Sequence, residues 1–210
     1  RTKAIMVSSQ TGTGTQATMD ALLEGAFDFI LKPSSSDPEA NRKQLFDSLS
    51  DKMAAFRDSA ASRQRFRRPA GAAKVAAESS APVAIEPPTT RYEAVVIGTS
   101  TGGPVALKDV IPLLPANMPV PVLVVQHMPP KFTQSLAERL NGESRLRVVE
   151  AADGMLAEAG TVYLAPGGFH MKILPRSGAP MIRLTEDPPE HGCRPSVDYL
   201  FRSAAEALNG

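Results

Sequence analysis

Apolar positions fall in two blocks separated by a stretch that has almost none. In the first block, residues 4–7 form a short apolar run, the pattern of a buried strand. Met19, Leu22 and Leu23 then recur at helical spacing, which predicts a helix over 16–24 that Gly25 stops. Residues 27–31 predict a second strand, closed by Lys32-Pro33, and Leu45, Leu49, Met53 and Phe56 predict a longer helix over 39–57. The order β-α-β-α points to a parallel sheet, but two strands and two helices amount to half a domain.

The second block starts at Tyr92. A strand over 93–97 leads into a glycine-rich turn over 98–103. Pro104 suits the first position of a helix that Pro112 limits to roughly two turns. Strands are expected over 122–125, 146–150 and 161–165, and a helix over 131–140 sets Phe132, Leu136 and Leu140 on one face. Residues 171–174 and 181–184 read as a hairpin. Ser196 is placed to cap a last helix that buries Val197, Leu200, Phe201, Ala204 and Leu208. A further strand should follow, yet the sequence stops at Gly210, and it starts at Arg1 rather than Met, as if cut from a longer chain.

Composition sharpens this division. Residues 58–91 are dominated by Ala, Pro and Arg and hold too little large apolar surface to offset chain ordering, so they read as a linker. Arg63, Arg65, Arg67 and Arg68 there face solvent in the plainer reading and an acidic partner in the sharper one. The 210 residues allow one or two domains. Lys and Arg number 23 against 22 Asp and Glu, a net charge of +1, which argues against a dedicated nucleic-acid binder. The lone Cys193 excludes an intramolecular disulfide and makes a reducing cytoplasm the default. No run reaches the ~18 apolar residues of a membrane span, so membrane insertion is not expected.

The sharpest motif is Gly98-Thr99-Ser100-Thr101-Gly102, a G-x-S-x-G between a strand and a helix. In that setting Ser100 is a candidate nucleophile, lifted to the sheet edge beside free helix N–H groups. An anion-binding turn and a plain structural turn are the competing readings. A P-loop fails because Pro104 replaces the lysine, and a Rossmann fingerprint fails because Ser100 replaces the second glycine. Of three histidines, His127 follows a strand as Ser100 does, so both emerge at the carboxyl edge of a parallel sheet, where ligands bind. His170 and His191 are then structural or substrate-contacting. Glu150, Asp153, Asp187 and Asp198 leave the third member of a triad open. The histidines and Cys193 lack zinc-type spacing, so no metal site is assigned.

Four segments together carry a resemblance: Val96-Ile97-Gly98-Thr99-Ser100-Thr101-Gly102-Gly103-Pro104, Gln126-His127-Met128-Pro129, Leu164-Ala165-Pro166-Gly167 and Arg194-Pro195-Ser196-Val197-Asp198. Residues 92–210 resemble the chemotaxis protein-glutamate methylesterase (CheB) family. The resemblance implies that Ser100 is the nucleophile and His127 its base, and that the triad aspartate lies in a T-G-M-G-x-D-G-A segment beyond Gly210. It implies that Cys193 need not be catalytic, since members carry His or Cys there. Residues 1–57 resemble the C-terminal half of a receiver (flavodoxin-like) domain, with Ser8 and Lys32 as its phosphoryl-sensing pair and a cis Lys32–Pro33 bond. The implied fold is α/β: that half receiver, the linker over 58–91, then a doubly wound, mostly parallel methylesterase domain over 92–210 lacking its C-terminal part. The implied activity is hydrolysis of glutamate methyl esters on the cytoplasmic domains of methyl-accepting chemoreceptors, with glutamine deamidation in some members. It is switched by receiver phosphorylation from a histidine kinase. The esterase needs no cofactor, whereas receiver phosphorylation needs Mg2+, whose ligands lie outside this chain. A different serine esterase and a non-catalytic, phospho-regulated binding module are the alternatives.

Overall fold

The computed structural model describes residues 3–9, 11–66 and 92–208. Its N-terminal elements are β1 (Ile5–Ser8), α1 (Gly12–Leu23), β2 (Asp28–Leu31) and α2 (Pro38–Phe66). There follow β3 (Val95–Thr99), α3 (Gly103–Val110), a 3₁₀ turn, β4 (Val122–Gln126), α4 (Phe132–Glu143), β5 (Arg147–Glu150), β6 (Thr161–Leu164), β7 (His170–Leu174), β8 (Met181–Thr185) and α5 (Val197–Ala207).

Strands β3-β4-β6-β5, in that order, make a four-stranded parallel sheet. All five residues of β4 are buried. A parallel strand covered on both faces needs no polar alternation, which explains the run Val-Leu-Val-Val. Its residues feed two cores in turn. Val122 and Val124 pack with Leu107, Phe132, Leu136 and Leu140 from α3 and α4. Leu123 and Val125 pack with Met171, Ile173, Ile182 and Leu200 from the β7-β8 hairpin and α5. Each such side chain contributes roughly 1.5–3 kcal/mol on burial. The expected hairpin is antiparallel, from His170 opposite Thr185 to Leu174 opposite Met181. The fold is thus α/β with a mostly parallel sheet covered on both faces.

At the N-terminus, β1 and β2 pair in parallel across α1, Ile5 opposite Asp28 through Ser8 opposite Leu31. Met19, Leu22 and Phe29 join the α3–α4 core rather than forming one of their own. Phe29 stacks on Phe132 with ring centroids 4.6 Å apart. Polar contacts rim this seam: Arg139 pairs with Asp20, and Ser135 and Gln16 lie 3.2 Å apart.

Several expectations change. Helix α2 continues to Phe66, past the boundary expected at residue 57, while 67–91, with Arg67 and Arg68, lie outside the described residues. Leu49 and Met53 on α2 are exposed, and the helix instead turns Phe56 edge-on to Phe27, 5.0 Å away. A sheet two strands wide spans only about 10 Å and is too narrow to cover the stripe that helical spacing marks. Phe201, expected inside, is 44% exposed. Lys32–Pro33 is not cis, the trans form being the usual preference; the cis bond among the described residues is Arg194–Pro195.

Candidate active site

The site is built where β3 and β4 end. Their register sets Thr99 opposite Gln126, so Ser100 and His127 leave neighbouring strands at the same level. Gly102 then takes φ 77°, a left-handed value that glycine adopts without strain, and α3 starts at Gly103 with Pro104 in its first turn. At the start of α3 the Gly103 N–H donates to the Ser100 carbonyl at 2.8 Å, the Ala106 N–H donates to the Gly102 carbonyl at 3.2 Å, and Pro104 has no N–H. At Gly98 a Cβ would come 2.3 Å from Val197 Cγ1, so the first motif glycine makes room for α5.

Side chains and backbone staple the two strand ends together. Thr99 Oγ1 donates to the Val125 carbonyl at 3.2 Å, and the His127 N–H donates to the Thr99 carbonyl at 3.0 Å. Gln126 Nε2 donates to the Ser100 carbonyl at 2.9 Å and the His127 carbonyl at 3.2 Å. Gly167 packs so closely on the next turn that a Cβ would lie 2.3 Å from the Pro129 carbonyl carbon.

Ser100 is exposed and His127 is half-buried. Both line a cavity of about 200 Å³ with Thr101 and Gln126, and with Asp28 and Lys52 from the N-terminal elements. His127 Nε2 is buried without a hydrogen-bond partner, so no bond yet joins it to Ser100. Catalytic hydrogen bonds often tighten only once substrate is bound. His127 Nδ1 lies 3.5 Å from Cys193 Sγ. Burial pushes the His127 pKa below its usual value of 6.5; the Asp198 charge opposes this and the Lys52 charge adds to it. Burial raises the Cys193 thiol pKa, with Lys52 opposing. Lys52 Nζ sits 2.7 Å from Asp28 Oδ2, a charge contact, while Asp28 Oδ1 accepts the Phe29 N–H at 2.8 Å.

The other candidates have different duties. His170 is fully buried: Nδ1 accepts the Ser196 N–H at 3.2 Å, Nε2 lies 3.1 Å from the Pro188 carbonyl, and the ring stacks on Tyr199. It ties the 186–196 loop to the start of α5. His191 is exposed and lies 3.7 Å from Asp198. Glu150 accepts from Thr133, Asp153 from the Leu184 N–H, and Asp187 from Tyr199, so none of these touches His127. Glu190, His191 and Asp198 bring ligand atoms within 4.8 Å of one another, but Arg202 already neutralises Glu190 at 2.8 Å. Ser8 and Lys32 stand at the ends of β1 and β2, joined by the Lys32 N–H to the Ser8 carbonyl at 2.7 Å. The Ser8 hydroxyl takes a bond from Thr18 at 2.6 Å and faces the Gly14 carbonyl.

Helical and strand periodicity gave no sign of Gln126, Lys52 or Asp28 at this site. Gln126 stood inside a recognisable motif, but a glutamine ending a strand carries no mark of where its amide turns. Lys52 and Asp28 arrive from a separate sheet.

A serine at a strand–turn–helix junction, with a histidine on the adjacent strand end, is a layout suited to serine-dependent hydrolysis on an open α/β sheet. Comparison with known proteins places the chain more narrowly. Residues 95–210 match the family model described as CheB methylesterase, and the chain belongs to that family. A protein-glutamate methylesterase/protein-glutamine glutaminase of Desulfotalea psychrophila is 44% identical over 99% of this chain and 59% of its own length. The Bacillus subtilis protein of the same name is 44% identical over 96% of this chain and 57% of its own. The chain therefore spans less than two thirds of these relatives. The crystal structure of the Thermotoga maritima CheB methylesterase catalytic domain superposes with a TM-score of 0.54 at 47% identity, covering 56% of this chain and 62% of that one.

Proposed function

We propose that this chain is the central part of a protein-glutamate methylesterase acting on the cytoplasmic domains of methyl-accepting chemoreceptors. The observation that carries the reading is the pairing of Ser100 and His127 at adjacent strand ends around one cavity. With hydrogen on Nδ1, the His127 Nε2 lone pair takes the proton from Ser100 Oγ as the oxygen attacks the γ-glutamyl ester carbonyl. Backbone N–H groups near the Ser100 turn stabilise the oxyanion. Collapse of the adduct breaks the ester C–O bond, and His127 passes the proton to the departing methoxide, giving methanol and an acyl-serine. Water then attacks while His127 takes its proton; Ser100 is restored and the glutamate carboxylate is released. A glutamine amide entering the same sequence would leave ammonia, which fits the second activity in the relatives' names. The triad acid is an aspartate that the family pattern sets beyond Gly210.

Residues 1–57 act as half of a receiver domain, with Ser8 and Lys32 reading a phosphoryl group supplied by a histidine kinase in the cytoplasm. Docked, this unit brings Asp28 and Lys52 over the Ser100 cavity, and phosphorylation loosens that cover. Mg2+ serves the phosphorylation reaction; among the described residues no cluster of three metal-ligating groups lies around Ser8 and Lys32. None of its described helices is long and apolar enough to cross a membrane. The test is Ser100→Ala in the full-length protein: methanol release from methylated receptor should vanish, and a wild-type rate would overturn the assignment.

A further inference from the structure

The Gln126 side chain is 2% exposed and uses one amide group to hold two carbonyls, those of Ser100 and His127. Its position explains why a side chain is needed. The β3-β4 ladder runs to Thr99 opposite Gln126, and one further backbone bond joins His127 N–H to the Thr99 carbonyl. Beyond it the backbone at Ser100 turns into α3, and the ladder cannot continue. The Gln126 amide supplies the next rung. Its oxygen, Oε1, is buried without a partner and fills the space above Gly103, where a Cβ would lie only 1.8 Å from it.

We infer that Gln126 is a positioning residue that sets the Ser100 turn against His127, and that Gly103 is glycine because this amide occupies its side-chain space. The inference rests on Ser100 and His127 being nucleophile and base. The unpaired Oε1 is unfavourable for folding while Nε2 recovers part of that cost, and both carbonyls it holds belong to Ser100 and His127. Gln126 is thus placed for alignment and not for packing. It lines the same cavity as Ser100, but its amide bonds the Ser100 and His127 carbonyls and not the reacting Oγ, so its effect should fall on turnover. Misplacing reacting groups by about 1 Å costs roughly 10²-fold.

The experiment compares full-length wild type, Gln126→Met, Gln126→Glu and Ser100→Ala in methanol release from methylated receptor, with melting temperature measured alongside. Gln126→Met should lose roughly 10- to 100-fold in kcat with KM within about twofold, at a melting temperature still well above the assay temperature. In Gln126→Glu the protonated acid can still donate to one carbonyl, whereas the carboxylate repels both. Its kcat should therefore fall as pH rises, relative to wild type. Gln126→Met within twofold of wild-type kcat, or a loss carried by KM, overturns the inference. Should Gln126→Met not fold, the Gln126→Glu profile decides, and superposition on the wild-type profile overturns it. Ser100→Ala separates the two claims. Full activity there defeats the nucleophile reading itself, whereas an inactive Ser100→Ala beside fully active Gln126 variants defeats only the positioning role.

Discussion

His127 is half-buried and feels the positive charge of Lys52, and both features disfavour its protonated form. With its pKa below 6.5, the imidazole is neutral at pH 7 and can accept a proton. For folding the sign is the reverse of a histidine gaining an anionic partner. The unfolded chain binds the proton more readily, so stability falls as pH drops through 6.5 toward the folded value. Replacing Lys52 with Gln removes a repelling charge, so the His127 titration, followed by NMR, should move to higher pH; an unmoved or lowered titration contradicts the electrostatic account. Asp198→Asn should shift it the opposite way. At this scale Ser100 and His127 were legible because backbone spacing alone puts residues after parallel strands at one edge. The partners that tune them were not legible. The Lys52–Asp28 pair and the Cys193 contact arise from side chains far apart in sequence, and no local pattern encodes such a meeting.

Among the elements, short parallel strands and their connecting helices were readable because each buried run is bounded by glycine, proline or a polar cap. Ser196 capping α5 is an example: its hydroxyl accepts the Tyr199 N–H as expected from its place before Val197. Helix α2 was less readable. Its apolar spacing is genuine, but what a helix buries depends on the sheet beside it, and β1-β2 is only two strands wide. Two glycines give a contrast that tests the packing account. At Gly142, in α4, an added methyl would meet nothing within 4 Å, so Gly142→Ala should stabilise by about 0.5–1 kcal/mol through helix propensity. Gly167→Ala drives a methyl into the Pro129 backbone and should destabilise by about 1–3 kcal/mol while displacing the His127 turn. Chemical denaturation of both variants checks the pair. Equal midpoints would contradict the account.

At the scale of the molecule, the N-terminal elements and the four-stranded sheet share one apolar core through Met19, Leu22, Phe29 and Phe132. The sequence divides into two blocks at the apolar-poor stretch, and that division is visible in composition. The docking of one block on the other is not, because both faces of the seam read as ordinary amphipathic surface. Phe29 stacks on Phe132 in the seam and also lines the Ser100 cavity, so removing its ring should weaken the docking and open that cavity. Phe29→Ala in the unphosphorylated full-length protein should therefore raise basal hydrolysis by roughly tenfold, the equivalent of about 1.4 kcal/mol. An unchanged basal rate would show that the seam does not restrain the site.

Activation of Ser100 by His127 would leave a covalent signature. A serine-directed phosphonate, with the labelled residue located by peptide mass spectrometry, tests it most directly in the full-length protein. A single adduct on Ser100 is expected, absent in Ser100→Ala and formed at least about 10²-fold more slowly in His127→Gln. An adduct on another residue, or unchanged labelling in His127→Gln, would contradict it.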